Sequence, residues 1–406
     1  MAKVINKKNL IIIVSSFIAV IIFLIVSFNI KKLKANVNDY TKFGFKDENL
    51  YKCVAVELLD NISFSTEEEM LELYGKLFDN YENFPAAELF LGGGLIDGGV
   101  EDTYNIFQKL NIPIQKEDFE TITSLSCDLE VEDYSGIEKL TSLEVIYVNN
   151  NSGKIDLSNN KKLKEIRIEG AQNRKLIINE LILPGSINRI NINTSDVQKL
   201  LIKEDNNLEN IYISNANIND EIIFSENVAL KNIQILNSKF NKIDFSNVKK
   251  ASTINLSGEL GDIDLSNIEV PTTINITSES KNITLPKETK ELNGLDIRDS
   301  KLESLDLQMY DRVNSFFLLG PNVNALQFKE NAYLGSIQIN SSKIENLDLS
   351  NVNASYITSI NGAENIKISQ SMNFDYTKLP NYFKNLYKFI RELTNKGLYG
   401  KYILEN

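Results

Sequence analysis

Leu143-Glu144-Val145-Ile146-Tyr147-Val148, followed by Lys154-Ile155-Asp156-Leu157-Ser158-Asn159, sets out the unit from which most of this chain is built. Ile146 and Val148 are two residues apart, the period of a strand that buries one face. β-Branched side chains suit that conformation because they pack well on a pleated surface. The second stretch alternates in the same way and reads as a short extended run on an opposite wall. Ser158 and Asn159 then supply the turn, with side chains that bond nearby backbone.

The template Leu-x-x-Ile-x-Ile returns down the chain. Its first Ile-class position falls at Ile146, Ile166, Ile190, Ile211, Ile233, Ile254, Ile274, Leu295, Phe316 and Ile337, at intervals of 20 to 24 residues and most often 21. The partner position falls at Val148, Ile168, Ile192, Ile213, Ile235, Leu256, Ile276, Ile297, Leu318 and Ile339. A degraded further copy begins near Ile357. No single turn can bury its own aliphatics, but stacked turns share one continuous core. At ~4.8 Å per strand, about ten turns make a stack ~48 Å long. Asn recurs at the turn, at Asn159, Asn247, Asn267 and Asn351, where side-chain amides bond along the stack. That role is structural and is not read as a metal ladder.

Period, strand pattern and turn motif together resemble the bacterial leucine-rich repeats of the Leu-Asp-Leu-Ser-Asn-Asn type found in internalin-like surface proteins. The likeness covers about 118–370. Asn49-Leu50-Tyr51-Lys52-Cys53-Val54, Ile122-Thr123-Ser124-Leu125-Ser126-Cys127 and Ser135-Gly136-Ile137-Glu138-Lys139-Leu140-Thr141-Ser142-Leu143 are similar to the opening of internalin-like ectodomains. The resemblance implies a leucine-rich-repeat solenoid, β-rich, with short parallel strands and a helical N-terminal cap. It also implies binding of proteins or other ligands at a cell envelope.

The chain departs from that pattern by an insert at about 60–112. Thr66-Glu67-Glu68-Glu69 has capping-box spacing, and Met70, Leu71, Leu73, Leu77 and Phe78 form an apolar stripe, so a helix is predicted there. A second is predicted at Glu101–Leu110. Between them runs Leu91-Gly92-Gly93-Gly94-Leu95-Ile96-Asp97-Gly98-Gly99; no Gly-Lys-Ser/Thr follows, so it reads as a turn rather than a phosphate cradle. At the far end Tyr382, Phe383, Leu386, Phe389, Ile390 and Leu393 recur at helical spacing and predict a C-terminal cap helix.

Leu10–Ile30 contains no charge, and its 21 residues would span ~31 Å as a helix, the thickness of a bilayer core. Lys7 and Lys8 precede it, and Lys31, Lys32 and Lys34 follow, placed to reach headgroups. The run is too long for the apolar region of a cleaved signal peptide and reads as an uncleaved anchor. The expected order is a cytoplasmic tail at 1–9, a transmembrane helix at 10–30, a stalk at 31–50, the N-terminal cap with its insert at 51–138, repeats at 139–370 and the C-terminal cap helix at 371–406. The flanking lysines balance, so orientation rests on the short tail and on a disulfide-bearing domain outside the membrane. Localisation is then a single-pass cell membrane protein with its repeats extracellular.

Composition excludes several chemistries. The chain has 406 residues, 42% hydrophobic, with no His. His-based nucleophilic triads and His-ligated zinc are thereby ruled out. Two Cys, Cys53 and Cys127, are too few for a cysteine-only zinc site and read as one disulfide flanking the insert. The net charge is −12, yet residues 1–34 hold six Lys and no acid, so the remainder carries −18. Such a domain repels phosphate backbones, so nucleic acid is not expected as a partner. Asp156, Asp244, Asp264, Asp306 and Asp348 occupy the outward slot of each Ile-Asp-Leu and form no catalytic pair; no enzyme activity, cofactor or metal is expected.

Function has to come from a surface. The central residue of each Ile-x-Ile strand points away from the core. Down the stack these are Tyr147, Arg167, Asn191, Tyr212, Gln234, Asn255, Asn275, Asp296, Phe317 and Gln338. The row is polar and amide-rich. Phe317 with Leu319, and the group Tyr147, Arg167 and Tyr212, stand out, because aromatics and Arg dominate interface energetics. The expected function is protein or ligand binding, or adhesion, at a bacterial cell surface. The alternative is a structural or assembly component of a cell-envelope complex.

Overall fold

The computed structural model describes residues 40–61, most of 100–369 and 402–405; the residues left out within 100–369 are 102–103, 106–107, 109–113, 151, 172, 203–206, 225–227, 270, 321–322, 341–343, 345 and 362–364. The transmembrane helix expected at 10–30, the insert helix expected from Thr66 and the cap helix expected over 379–395 lie outside the described residues. Among the described residues, no helix is long and apolar enough to cross a membrane. The chain divides into two compact units, Met1–Leu163 and Lys164–Asn406.

The first unit is built on a helix, Glu48–Asn61. One carboxylate oxygen of Asp47 accepts from the N–H groups of Asn49 at 2.8 Å and Leu50 at 3.1 Å. Those donors have no partner inside the helix, so this contact starts it. The other oxygen accepts from Glu132 N–H at 2.9 Å. Asp47 therefore fixes the helix start to the segment that follows the strand Ser124–Cys127. The helix buries Leu50, Tyr51, Cys53, Val54 and Ala55. Phe43 and Phe45 each pack on both Tyr51 and Phe119, with ring centroids 5.2 to 5.9 Å apart.

Residues 40–50 are thus part of the cap and not the end of a stalk. Phe45 is 1% exposed and Leu50 0%. Their aromatics follow neither helix nor strand period, so periodicity alone leaves them out. Gly136, at φ 109°, sits where a Cβ would come within 2.5 Å of the Phe45 ring; only glycine combines that backbone with that approach. Of the helix expected over Glu101–Leu110, the described residues Glu101, Tyr104, Asn105 and Gln108 are helical. Cys53 and Cys127 form the expected disulfide, Cα to Cα 5.3 Å, joining helix to strand.

Ser124–Cys127 pairs in parallel with Val145–Val148, Leu125 opposite Ile146. A repeat strand therefore exists one turn before the first template position, unsignalled because Leu125-Ser126-Cys127 replaces the Ile-x-Ile. Asn160, rather than Asn159, bonds back to the preceding turn. It is fully buried and its amide donates to the carbonyls of Ile137 at 2.9 Å and Leu140 at 3.1 Å.

The second unit is a parallel β-solenoid of the leucine-rich-repeat kind. Its inner wall comprises Glu165–Glu169, Arg189–Asn193, Asn210–Ser214, Asn232–Asp244, Thr253–Glu259, Thr273–Ser278, Gly294–Arg298, Arg312–Leu319, Tyr333–Asn340 and Asn353–Asn361. Consecutive strands pair in parallel, and the template positions meet: Ile166 with Ile190, Ile190 with Ile211, Ile211 with Ile233, and so on to Phe316 with Ile337. From Ile166 to Ile337 the first template column is 3% exposed or less. The degraded copy is the tenth strand of this unit: Ile337 faces Ile357, the register then slips, and Ile339 faces Ile360.

The outer wall carries short parallel pairs, including Ile263–Asp264 with Ile283–Thr284 and Ser304–Leu307 with Ala325–Phe328. Turn amides bond along the stack as expected: Asn247 donates to Phe224 O at 2.9 Å and Asn267 to Ser246 O at 2.8 Å. The outward aspartates have a local job. Asp244, Asp264, Asp306 and Asp348 each accept the N–H two residues on, at 2.8 to 2.9 Å, closing a turn by a side chain. Several inner strands end in a left-handed corner, at Thr194 (φ 49°), Asn215 (50°), Asp299 (52°) and Gly320 (86°), and Asn232–Asp244 has the same corner within it at Asn237 (48°).

Tyr402–Glu405, within the span expected as a helical cap, is a strand. It pairs in parallel with Asn365–Ser369, Ile368 opposite Leu404. The Tyr402-Ile403-Leu404 run extends the outer sheet and covers an edge that would otherwise stand open.

Candidate functional site

The inner wall of the second unit offers a surface of ten strands. In each strand the two template aliphatics turn inward, so the residue between them and those flanking the pair turn outward. The pairing register converts this alternation into columns. Arg167, Asn191, Tyr212, Gln234, Asn255, Asn275, Asp296, Phe317 and Gln338 are consecutive Cα partners. Tyr212 is 36% exposed, and the other eight are half-buried.

The C-terminal part of this face is the most apolar. Phe317 and Leu319 are half-buried on the outside, while Phe316 and Leu318 between and beside them are fully buried. Phe316 packs edge-on against Phe328, centroids 5.7 Å apart. Phe317 therefore sits on a rigid floor. Leu319 is the register partner of Arg298, which donates three hydrogen bonds to the carboxylate of Asp296, at 2.6, 2.8 and 3.0 Å. The paired carboxylate raises the Arg298 pKa above its ordinary value. Arg298 follows Asp296 by two residues, so period two alone placed both on one face, although the central row named only Asp296.

Tyr147 stands in the first unit, beside its register partner Ser126. Arg167 and Tyr212 belong to the second unit and are separated by Asn191. Arg167 donates to Glu165 on its own strand, and Arg189 on the next strand lies 3.8 Å from the same carboxylate. Arg167 is thus paired within an ion-pair cluster on the ladder.

The first unit has an open polar cleft lined by Lys46, Glu132, Asp133, Ser135, Glu138, Lys154 and Asp156. Three of its carboxylates are engaged within the fold. Asp133 accepts from Ser135 N–H at 2.8 Å, and hydrogen bonding from Ser135 with Lys46 nearby holds its carboxyl below the usual range. Glu138 accepts from Gly136 N–H at 2.8 Å and Asp156 from Ser158 N–H at 3.1 Å. Among the described residues, no group of three acidic or Cys side chains is placed to hold a metal ion.

No family model and no curated protein matches the chain. Among solved structures it is similar to the functional domain of InlJ from Listeria monocytogenes, at 15% identity over 63% of this chain and 76% of that one, with a TM-score of 0.22. It is also similar to an internalin, InlF, from the same species, at 17% identity over 54% of this chain and 85% of that one, with a TM-score of 0.21. The InlJ domain includes a cysteine ladder, whereas both cysteines here are spent on the Cys53–Cys127 bond. The solenoid assignment stands on the repeat and its register, not on these likenesses.

Proposed function

We propose that this chain is an extracellular recognition module held at a bacterial cell membrane, which binds a surface ligand through the exposed columns of its strand ladder. One observation carries this reading most. At Phe317 and Leu319 a mostly polar face presents two apolar side chains on one strand, while the neighbouring core slots already have their own Phe316 and Leu318. Core packing therefore gives no reason for the outer pair. An aromatic on a rigid floor contributes contact area at low entropy cost, which is what interface anchors do. The internalin-like repeat supports a binding role rather than catalysis, since the ladder is a surface and not an enclosed pocket.

The membrane part of the proposal rests on Leu10–Ile30, whose length and lack of charge suit a bilayer-spanning helix. Attachment there sets the repeats outside the cell, where a disulfide persists. Pull-down with the full chain and with Phe317→Ala tests the binding role. The ligand should be recovered with the parent chain and lost with the variant. Equal recovery would move the site off the ladder.

A further inference from the structure

Four five-residue stretches on consecutive inner strands of the second unit carry no charged side chain: Asn210-Ile211-Tyr212-Ile213-Ser214, Asn232-Ile233-Gln234-Ile235-Leu236, Thr253-Ile254-Asn255-Leu256-Ser257 and Thr273-Ile274-Asn275-Ile276-Thr277. Their register is continuous. Their outward positions form a panel of Asn210, Tyr212, Asn232, Gln234, Thr253, Asn255, Ser257, Thr273, Asn275 and Thr277, with Leu236 at one corner. In a protein carrying −18 outside its first 34 residues, charge has been kept off this panel.

Ion pairs border it on every side. Glu165 with Arg167 and Arg189 lies beyond one end, and Asp296 with Arg298 beyond the other. Glu209–Lys231, 2.7 Å, precedes the first two strands, and Lys239–Glu259, 2.6 Å, follows the second and third. Each bordering carboxylate has a cationic neighbour. Amides pair within it: Asn232 donates to Asn210 at 2.8 Å and Asn275 to Asn255 at 2.6 Å. Such a pair uses one N–H and one oxygen lone pair, and each carboxamide still has a further donor or acceptor to offer.

We propose that this panel binds an uncharged glycan chain. The inference rests on the ladder being a recognition surface and names the class of ligand for it. A protein partner of so acidic a chain would be selected by opposite charge, and a polyanion would be repelled; the panel offers no charge for the first. Sugar hydroxyls both donate and accept, as the panel's amides and hydroxyls do. Tyr212, the most exposed aromatic of the row at 36%, gives a flat ring on which the C–H face of a sugar can lie. A ladder repeating every ~4.8 Å presents similar groups rung after rung, which suits a repeating linear polymer.

Affinity electrophoresis of the detergent-solubilised full chain tests this. The gels contain an unbranched β-glucan, a mannan or a xylan, with anionic polygalacturonate in a parallel gel. The chain should be retarded in at least one neutral gel and not in polygalacturonate. Tyr212→Ala and Asn255→Asp should each weaken that retardation about tenfold, with melting temperatures near that of the parent. Asn255→Asp keeps an acceptor for Asn275, so it changes charge without removing the bond. No retardation in any neutral gel, or retardation that both variants leave unchanged, overturns the proposal. If the neutral gels fail while Phe317→Ala still abolishes pull-down, the glycan class is wrong and the recognition reading stands; if both tests fail, both fall.

Discussion

Asp296 and Phe317 are Cα partners on adjacent parallel strands, and the Asp296 carboxylate is held by Arg298 of its own strand. The charge nearest to Phe317 in its column is thus already neutralised. An apolar ligand group can cover the ring without stranding a carboxylate away from water, which would otherwise cost several kcal/mol.

Phe317→Ala should therefore weaken ligand binding by more than ~1 kcal/mol and leave thermal unfolding nearly unchanged. Ile337, 0% exposed, should behave the opposite way. Ile337→Ala opens a cavity of the kind that costs ~2–5 kcal/mol in stability. Calorimetric binding and thermal melts of the two variants read the contrast. Equal loss of stability in both would mean that Phe317 is core and not surface.

The repeat was legible because it couples a strand period to a second period of about twenty-one residues, and chance does not satisfy both. Ile166, Ile190 and Ile211 meet in the ladder as their spacing required. Leu125 was missed because its strand ends in Cys127, which the disulfide claims. Residues 40–50 were missed because Phe43 and Phe45 pack by shape. Tyr402–Glu405 was taken as helix because so short a run has no period of its own. The face was legible as a row, but its frame of ion pairs was not. Lys239 and Glu259 are twenty residues apart, and only the register brings them within 2.6 Å.

Thr194 is a β-branched residue in the left-handed region, φ 49°, where its neighbours in the stack use Asn215 and Asn237. A β-branched side chain is strained there. Thr194→Asn should stabilise by about 0.5–1 kcal/mol, measured by denaturant unfolding. A destabilised variant would show that the Thr194 hydroxyl, 3.2 Å from the Asn193 side-chain oxygen, outweighs the strain.

Reduction of Cys53–Cys127 should destabilise the first unit. On the chain-entropy model, closing a loop of about 75 residues contributes up to ~4.5 kcal/mol. Unfolding with and without reductant should differ in midpoint, and the unreduced, unfolded chain should show no free thiol. Two free thiols would contradict the bond.

Acid should loosen the turns. The Ser246 hydroxyl and backbone N–H hold the Asp244 carboxyl below its ordinary value. A lowered folded pKa means that Asp244 stabilises above its unfolded pKa, about 3.9, and that this contribution is lost as pH falls through the lower folded value. Asp244→Asn should flatten that part of the stability profile below about pH 4. A profile identical to the parent's would show that the turn does not feel the charge.

Site-specific photo-crosslinking on intact cells tests the recognition claim most directly. A photoreactive residue placed at Gln234 or Phe317, on the ladder face, should form adducts with the ligand. The same residue at Leu201, exposed on the outer-wall strand Leu200–Ile202, should form none. Adducts at Leu201 and none at Gln234 or Phe317 would contradict the account.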